Sequence, residues 1–357
     1  MSGFDLPELP PRVDLETKAI LKQLAVSHRY LAELKGVART IPNQNILIQT
    51  LPLLEAKDSS AIENIVTTHD ELYRMELLEE SFQSSAAKEV QNYRTALRYG
   101  FEKVKGKSLL TNNLILEIQK IVKKQESGFR TLPGTDLKNF ITGEVVYTPP
   151  QLKDDIIRLM NNLEKIINEE NLYPIDPLIK MAVIHYQFES IHPFYDGNGR
   201  TGRIINILYL VLNQLLDIPI LYLSRYIIQN KEKYYNLLQS VRENGNWEEW
   251  VLYILKGVEE TSKNTISMIE SIKELMDKYK KEISTNYKKI YSHELLNLLF
   301  KHPYTKIDFL EKELGIARQT ASKYLDVLAE GGYLKKEKFG RNNLYINVPL
   351  YTIFLKN

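Results

Sequence analysis

Cysteine is absent from the 357 residues of this chain, which excludes disulfide bonds and zinc sites built on thiolates. Long apolar runs are also missing. The most apolar segment, residues 204–216, is interrupted by Asn206 and Asn213, whereas a membrane helix needs about 18 consecutive apolar residues. The N-terminal residues lack the apolar centre of a signal peptide. We therefore expect a cytoplasmic protein without a membrane anchor.

A strong charge of one sign is missing as well. The net charge at pH 7 is +2, so the chain as a whole does not require a polyanionic partner. Hydrophobic residues make up 43% and charged residues 26% of the chain, which is ordinary for a globular protein. The length predicts two or three domains.

Apolar residues recur every three or four positions along most of the chain, which predicts a mostly α fold. The clearest helical segments are 15–36, 67–80, 86–104, 112–125, 151–169, 175–191 and 250–288. The helix over 175–191 should end at His192, because a residue before proline avoids the helical conformation. Residues 128–150 differ: they carry glycines, prolines and the β-branched run 145–148, which predicts a loop or a small hairpin.

The C-terminal residues, 290 to 357, have a pattern of their own. A helical segment, a turn at Gly315 and a second helical segment precede two stretches that alternate like a hairpin around residues 340–343. Helix, turn, helix and hairpin is the order of a winged helix-turn-helix.

The twelve residues "HPFYDGNGRTGR", 192–203, hold the densest group of polar residues next to an apolar helix. Gly197 and Gly199 allow several backbone N–H groups to converge at a helix N-terminus, where the helix dipole favours phosphate. Arg200 and Arg203 are three apart, so we expect both to lie on one helix face and to reach one polyphosphate.

Two further residues of this stretch suit phosphoryl chemistry. Asp196 offers a hard oxygen ligand for Mg2+ that is shared with phosphates. His192 can take a proton from a hydroxyl near neutral pH. An ordinary helix N-terminus with turn glycines and solvated arginines is the simpler alternative, but it leaves this combination unexplained.

The same stretch resembles the signature of Fic-domain proteins, His-x-Phe-x-Asp/Glu-Gly-Asn-Gly-Arg-x-x-Arg, at every specified position. The resemblance implies a helical core with the motif on a loop between two helices. It implies a protein adenylyltransferase that uses ATP and Mg2+, transfers AMP to a Ser, Thr or Tyr hydroxyl of a protein substrate or of itself, and releases pyrophosphate. It is compatible with a homodimer.

The family's roles can be assigned residue by residue. The resemblance implies that His192 is the general base, that Phe194 anchors the loop and that Asp196 holds the metal. The phosphate-binding residues would come from the rest of the motif, namely Gly197, Asn198, Gly199, Arg200, Thr201, Gly202 and Arg203, with Arg203 on the γ-phosphate.

Two more segments are similar to the family. Residues 142–150, "TGEVVYTPP", resemble the flap, a hairpin that positions the target hydroxyl through Val145, Val146 and Tyr147, although an ordinary turn has the same composition. Tyr234 and Tyr235 match a position near the adenine, although a tyrosine pair on an amphipathic helix is usually part of the core. Where the family has a further adenine-side asparagine, this chain has Arg242.

The segment "DSSAIEN", 58–64, has two interpretations. Ser60 and Glu63 have the spacing of a capping box at a helix N-terminus. Ser59, Glu63 and Asn64 also match the family's inhibitory motif, (Ser/Thr)-x-x-x-Glu-(Gly/Asn), in the class with an N-terminal inhibitory helix. Glu63 would then pair with Arg203, occupy the γ-phosphate pocket and hold the enzyme in a low-activity state. Alternatively, Glu63 orients a water molecule and supports removal of AMP.

The C-terminal module allows a rival function, that of a DNA-binding regulator. Its recognition helix would begin with Arg318, Gln319, Thr320 and Lys323, and its wing would carry Lys335, Lys336, Lys338 and Arg341. Residues 301–345 contain nine Lys or Arg against six Asp or Glu, which is only weakly basic. A protein partner or dimerisation fits this module equally well. An inactive scaffold is disfavoured by the intact His192 and Asp196.

These patterns divide the chain into four parts. We expect an N-terminal helical region with the inhibitory motif (1–105), a catalytic core (106–255), a helical connector (256–289) and a winged-helix domain (290–357).

Overall fold

The computed structural model describes residues 5–75, 84–125, 128–138, 142–339 and 342–356. Helices dominate these ranges, as the apolar periodicity predicts, and the strands are short. The first helices are α1 (Lys18–Ala38), α2 (Asn45–Ile62), α3 (His69–Met75), α4 (Ser85–Lys107), α5 (Asn112–Lys123), α6 (Lys153–Asn168), α7 (Pro177–Ile191) and α8 (Asn198–Leu212). They are followed by α9 (Leu223–Gln229), α10 (Lys231–Asn244), α11 (Trp247–Asn286), α12 (His293–Lys301), α13 (Ile307–Leu314), α14 (Arg318–Glu330) and α15 (Val348–Lys356).

Two small antiparallel sheets accompany these helices. Strands β1 (Leu137–Lys138) and β2 (Val145–Tyr147) form a hairpin between α5 and α6. Strands β3 (Tyr304–Thr305), β4 (Lys335–Phe339) and β5 (Asn342–Ile346) form a three-stranded sheet in the order β3–β5–β4. In the described residues the fold is therefore mostly α, with the hairpin β1–β2 between α5 and α6 and the sheet β3–β5–β4 in the C-terminal module.

Helices α7 and α8 form the centre of the core. Every residue of α7 from Leu178 to Ile191 is buried, and α8 is buried from Arg200 to Leu210. The two helices pack against each other, and α8 also contacts α4 and α5. Because both helices are enclosed, the loop that joins them at residues 192–197 is held from several sides.

The position of Ser60 and Glu63 in helix α2 shows that their interpretation as a capping box is wrong. The helix begins at Asn45, continues through Pro52 and ends at Ile62, so Ser60 lies in its last turn and Glu63 is its C-cap. A capping box needs these residues at a helix N-terminus. Residues 45–57 are apolar enough to extend the helix upstream, and the motif therefore lies at its C-terminal end.

Helix α11 has 40 residues and links the core to the C-terminal module. It lies along α1 and also contacts α7, α9, α12 and α15. The proposed boundary between residues 255 and 256 falls inside this helix, and that between 105 and 106 falls inside α4.

The C-terminal module packs on the N-terminal region through α3. The Tyr73 ring lies 5.8 Å from the Tyr304 ring and close to Tyr351 and Phe354. The predicted helical segment 67–80 is helical from His69 to Met75, and its last residues lie outside the described ranges. Across the described ranges, every helix is too short or too polar to span a membrane.

Candidate active site

The segment 192–203 joins α7 to α8 and is closed by its own side chains. His192 caps the C-terminus of α7 in a left-handed conformation, with φ at 48°. Gly197, with φ at 83°, precedes α8. The Asn198 side chain accepts from the Phe194 N–H at 2.8 Å and donates to the Phe194 carbonyl at 2.8 Å. The Phe194 ring is fully buried, so the loop is fixed against the core.

The N-terminus of α8 is bare. Gly197 has no side chain that could cap it, and the first N–H groups of a helix have no partner within the helix. A Cβ at Gly199 would meet the Glu63 carboxylate, which would have to move away. A Cβ at Gly202 would lie 2.5 Å from Glu189 Oε1. These glycines allow acidic side chains to approach a helix end that favours anions.

Arg203 is held by the end of α2. Its Nη2 donates to Glu63 Oε1 and to the Ser59 carbonyl, and its Nε donates to Ser59 Oγ, each at 2.8 Å. The Arg203 side chain is 3% exposed and that of Glu63 is 35% exposed. Burial lowers the pKa of Arg203, but the charges of Glu63 and Glu189 outweigh this effect and raise it overall. The structure thus brings the predicted inhibitory residues Ser59 and Glu63 to Arg203.

Asn64 follows Glu63 at the end of α2. It has φ at 61°, and its Oδ1 accepts from Lys231 Nζ at 3.1 Å.

Arg200 has other partners than Arg203. Its Nη1 donates to Glu89 Oε2 of α4 at 2.6 Å, and its Nη2 lies 3.7 Å from Asp196 Oδ1. Its side chain is 2% exposed. Each guanidinium is thus engaged by a different acidic residue, and the expectation that both arginines bind one polyphosphate stays a prediction.

Asp196 is paired with a cation that the sequence does not single out. Its Oδ2 lies 2.6 Å from Lys123 Nζ at the end of α5, although 64% of the Asp196 side chain is exposed. Burial alone would raise the pKa of Asp196, but Lys123 and Arg200 lower it below its usual value. The carboxylate is thus ionised and accessible from solvent.

A magnesium ion fits this carboxylate only as a shared ligand. The described residues contain no group of three or more His, Cys, Asp or Glu that could hold a metal ion. Magnesium bound to nucleotides usually takes one or two carboxylates and completes its shell with phosphate oxygens and water. Asp196 fits that pattern once Lys123 releases it.

His192 lies beside this anion-binding end with an uncharged ring. Burial, together with the nearby charges of Arg130 and Arg242, lowers its pKa to about 4, although the charge of Glu63 opposes them. The neutral imidazole is the form that accepts a proton. Its Nδ1 is buried and has no hydrogen-bond partner among the described residues.

The hairpin β1–β2 stands next to His192. Leu137 pairs with Tyr147 and Lys138 with Val145. Val145 and Val146 are exposed, whereas Tyr147 is buried and donates from its hydroxyl to the Ser190 carbonyl at 2.8 Å. The predicted flap residues therefore form a strand with two exposed side chains and one anchor, and residues 139–141 lie outside the described ranges.

Of the tyrosine pair, Tyr234 lies in the core, as the alternative interpretation predicts. Its hydroxyl is 2.9 Å from His185 Nε2, and its ring packs against Trp250. Tyr235 is 44% exposed. Arg242 lies over the Tyr147 ring at 3.8 Å and donates to Ser190 Oγ at 3.3 Å, so it faces the flap.

Glu89, Lys123 and Arg130 belong to the site but escape sequence analysis. Each is brought to residues 192–203 by tertiary packing from α4, α5 or the segment before the flap. No spacing within the sequence links them to the motif, so the only local signal is their charge.

The cations of the C-terminal module are exposed and mostly paired with acidic residues of the same module. Arg318 lies 2.6 Å from Asp308 and 3.1 Å from Glu311. Lys335 pairs with Glu337 and Lys336 with Asp326. Gln319, Lys323 and Lys338 are exposed, Thr320 is partly exposed, and Arg341 lies outside the described ranges.

Comparisons with known families cover most of the chain. Residues 21–102 match the Fic/DOC family N-terminal model, and residues 109–210 match the Fic/DOC family model. Residues 275–350 match the model of the C-terminal domain of SoFic-like protein adenylyltransferases. The two Fic/DOC models together account for more than half of the chain.

Two curated relatives are adenylyltransferases by name. The chain is 34% identical over 110 residues to the protein adenylyltransferase Fic of Drosophila erecta, covering 30% of this chain and 20% of the relative. It is 38% identical over 95 residues to a probable protein adenylyltransferase of Aquifex aeolicus, covering 27% of this chain and 26% of the relative. The matches thus span about a fifth to a quarter of the length of these relatives.

Solved structures share the fold. A Fic family protein from Desulfovibrio desulfuricans G20 superposes with a TM-score of 0.59 at 19% identity, covering 95% of this chain and 98% of that protein. Fic-1 of C. elegans superposes with a TM-score of 0.56 at 20% identity, covering 71% of this chain and 73% of that protein.

Proposed function

We propose that this chain, which belongs to the Fic/DOC family, is a protein adenylyltransferase that transfers AMP from ATP to a Ser, Thr or Tyr hydroxyl of a protein or of itself. One observation carries the proposal. A partly buried, uncharged His192 lies beside the uncapped N-terminus of α8, where Arg200 and Arg203 are buried. A neutral base next to a site for phosphates is what nucleotidyl transfer to a hydroxyl requires.

The reaction follows from this arrangement. His192 takes the proton of the target hydroxyl, and the hydroxyl oxygen forms a bond to the α-phosphorus of ATP. The bond from that phosphorus to the bridging oxygen breaks in line, and pyrophosphate leaves. The N–H groups from Gly197 to Arg200 and the guanidinium of Arg200 stabilise the charge on the phosphates, while Arg203 binds the γ-phosphate. Asp196 would hold Mg2+, which neutralises phosphate charge when bound.

Inhibition by Glu63 forms the second part of the proposal. The Glu63 carboxylate accepts a hydrogen bond from Nη2 of Arg203 and lies against Gly199. A γ-phosphate would otherwise bind at this place. ATP bound beside it would have displaced phosphates, and a displacement of about 1 Å can lower the rate on the order of 100-fold. Glu63 is also close enough to the phosphates to orient a water molecule, so removal of AMP is the alternative activity of this site.

Relief of this inhibition requires only a local movement. Helix α2 is anchored by buried acids: Glu55 accepts from the Ser224 N–H at 3.0 Å and from the Tyr93 hydroxyl at 3.1 Å, and Asp58 accepts from the Tyr222 hydroxyl at 2.6 Å. Glu63, by contrast, is the C-cap and is partly exposed. We infer that the Glu63 side chain moves while α2 stays in place.

The proposed division of labour keeps the catalytic core at residues 106–255, with the inhibitory motif before it and the winged helix at 290–357. A role of the winged helix in DNA binding is less well supported, because the cations Arg318, Lys335 and Lys336 are paired within the module. A protein partner or a second copy of the chain is the better match for this surface.

The experiment compares wild type, Glu63→Gly, Glu63→Gln and His192→Ala with α-labelled ATP and Mg2+, followed by mass spectrometry of the protein and of proteins in an added lysate. We expect AMP adducts in Glu63→Gly, fewer in Glu63→Gln, which keeps the size but not the charge, and few in wild type. His192→Ala should be inactive with an unchanged thermal midpoint.

Two outcomes would contradict the proposal. Adducts in His192→Ala would remove the histidine from the mechanism. A Glu63→Gly variant that is folded, binds ATP and labels neither itself nor any lysate protein would rule out AMP transfer.

A further inference from the structure

Arg130 is a buried cation without an acidic partner among the described residues. Its side chain is fully buried. The buried Arg200 and Arg203 each contact a carboxylate, whereas the guanidinium of Arg130 contacts backbone carbonyls. A buried charge is costly unless its environment compensates it, so these carbonyls must stabilise it.

The carbonyls belong to the end of α7. Nε of Arg130 donates to the His192 carbonyl at 2.8 Å, and Nη2 donates to the Ile191 carbonyl at 3.3 Å. The last carbonyls of a helix have no partner within the helix, and the helix dipole is negative there, so a cation is favoured. The main-chain N–H of Arg130 also donates to the Pro193 carbonyl at 2.8 Å. Arg130 therefore holds three consecutive peptide groups around His192.

These contacts bear on the backbone conformation of His192. Its φ of 48° lies in the left-handed region, which is unfavourable for a residue with a Cβ and persists only when the surroundings enforce it. The contacts of Arg130 with residues 191–193 are the enforcing interaction from the flap side of the loop.

The same guanidinium reaches the far end of the flap. Nη2 of Arg130 donates to the Pro150 carbonyl. Arg130 precedes β1 and Pro150 follows β2, so one side chain joins both ends of the flap to the histidine. Tyr147 of β2 adds a parallel contact through the Ser190 carbonyl. The flap and the base are thus fixed relative to each other through α7.

We propose that Arg130 is a positioning residue for His192, which fixes the histidine backbone between α7 and the flap. The guanidinium charge also disfavours the imidazolium form, so the ring stays available as a base. This inference rests on the proposed function, because only there is His192 a base. It adds to that function a residue outside the motif that acts through the backbone of residues 191–193.

Charges from several elements face His192. Burial is the largest cause of its low pKa, Arg130 comes next, and Arg242 of α10 also lowers it. Glu63 at the end of α2 and a hydrogen bond involving Glu189 of α7 raise it. Since Arg130 disfavours the imidazolium, removing its charge should raise the pKa of His192.

The first test measures the protonation of His192 directly and needs no activity. The chain has six histidines, so NMR of protein labelled with 13C at histidine Cε1 is tractable, with the His192 signal assigned by its loss in His192→Ala. In wild type we expect no titration of His192 down to pH 5. In Arg130→Met the pKa should rise by about one unit, the size expected for losing one nearby charge.

The second test separates position from charge. Arg130→Lys keeps the charge but cannot donate to the His192 and Ile191 carbonyls as the guanidinium does. In a Glu63→Gly background we expect kcat to fall about 10- to 100-fold with an unchanged KM for ATP, because the histidine backbone is misplaced. Its His192 should remain uncharged down to pH 5, as in wild type.

Arg94→Met is the matched control. Arg94 is partly buried, and burial lowers its pKa to about 10, but it donates to Gln49 at 2.7 Å between α4 and α2. Arg94→Met should leave the titration of His192 unchanged, and its kcat should equal that of its parent.

The outcomes distinguish this inference from the proposed function. A folded Arg130→Met whose His192 titrates as in wild type overturns the inference whether or not AMP is transferred. If Arg130→Met fails to fold, an Arg130→Lys variant with the parental kcat overturns it. An absence of AMP transfer in every variant contradicts the proposed function, while the NMR titration still decides whether Arg130 keeps His192 uncharged.

Discussion

The arginines of the motif and Arg318 of the C-terminal module make ion pairs of similar length in different surroundings. Arg200 lies 2.6 Å from Glu89 and Arg203 lies 2.8 Å from Glu63, and both side chains are almost fully buried. Arg318 lies 2.6 Å from Asp308, but 66% of its side chain is exposed. Ion pairs of similar length therefore need not have the same effect on stability or function.

Solvent accounts for the difference. A pair at the surface is screened by water and salt, and each partner is well solvated when the other is removed. A buried cation that loses its partner keeps the cost of its own desolvation. The buried arginines of the motif therefore need an anionic partner, either an acidic side chain or a phosphate, whereas Arg318 does not. The proposed inhibition by Glu63 depends on this requirement, because its carboxylate would take the place of a phosphate beside Arg203.

Removal of Arg203 should have the largest effect. Arg203→Met deletes the contacts with Glu63 and with both oxygens of Ser59, and we expect the free energy of unfolding to fall by about 2–4 kcal/mol. The partial exposure of Glu63 reduces its share of this cost. AMP transfer in a Glu63→Gly background should fall at least about 100-fold, because the γ-phosphate loses its ligand. Urea unfolding and labelling with α-labelled ATP measure the two effects.

A double-mutant cycle sharpens this prediction. Arg203→Met, Glu63→Gln and the double variant should show a coupling free energy of about 1–3 kcal/mol, since the two side chains are in direct contact. A coupling near zero would mean that the pair behaves like a surface pair, and the contrast with Arg318 would be lost.

The motif and the secondary structure could be predicted because both are local. The twelve residues from His192 to Arg203 are contiguous, and apolar periodicity marks most of the helices. The end of α7 at His192 was predictable from Pro193 alone.

Lys123 and Glu89 could not be predicted as partners of the motif, because they are distant from it in sequence. Lys123 and Asp196 are 73 positions apart, and the Glu89–Arg200 contact spans 111 positions. The contact between Glu63 and Arg203, 140 positions apart, was expected only from the resemblance to the family's inhibitory motif. The capping-box interpretation failed for a related reason. The spacing of Ser60 and Glu63 does not tell whether a helix begins or ends there, and only the residues upstream of 58 settle it.

A second prediction concerns pH and buried histidines. His185 of α7 is fully buried, its Nε2 lies 2.9 Å from the Tyr234 hydroxyl, and burial lowers its pKa to about 3, with a further contribution from Arg203. Below pH 6.5 the unfolded chain binds a proton at this residue that the folded chain refuses. The stability that His185 contributes is therefore present above pH 6.5 and is lost as the pH falls toward 3.

The variant His185→Gln isolates this effect, because glutamine can still bond to Tyr234 but does not titrate. Between pH 7 and pH 5 we expect the variant to lose less unfolding free energy than wild type, by up to about 2 kcal/mol. The comparison between the two proteins is needed because burial raises the pKa of Glu55 and of Glu189 to about 7, and these carboxyls stabilise the fold as the pH falls. Equal pH slopes in urea unfolding would show that His185 is not held uncharged.

The smallest effects should come from Arg318. In Arg318→Ala, Asp308 and Glu311 lose a cation but remain solvated, and we expect the urea midpoint, the thermal midpoint and AMP transfer to match those of wild type. Because Arg318 is already paired within the module, the affinity for duplex DNA, measured by fluorescence anisotropy at low salt, should be weak and unchanged by the substitution. If instead wild type binds a duplex tightly and Arg318→Ala weakens that binding several-fold, Arg318 contacts DNA phosphates or bases. The exposed cations then need an anionic partner as the buried ones do, and α14 is a DNA-recognition helix.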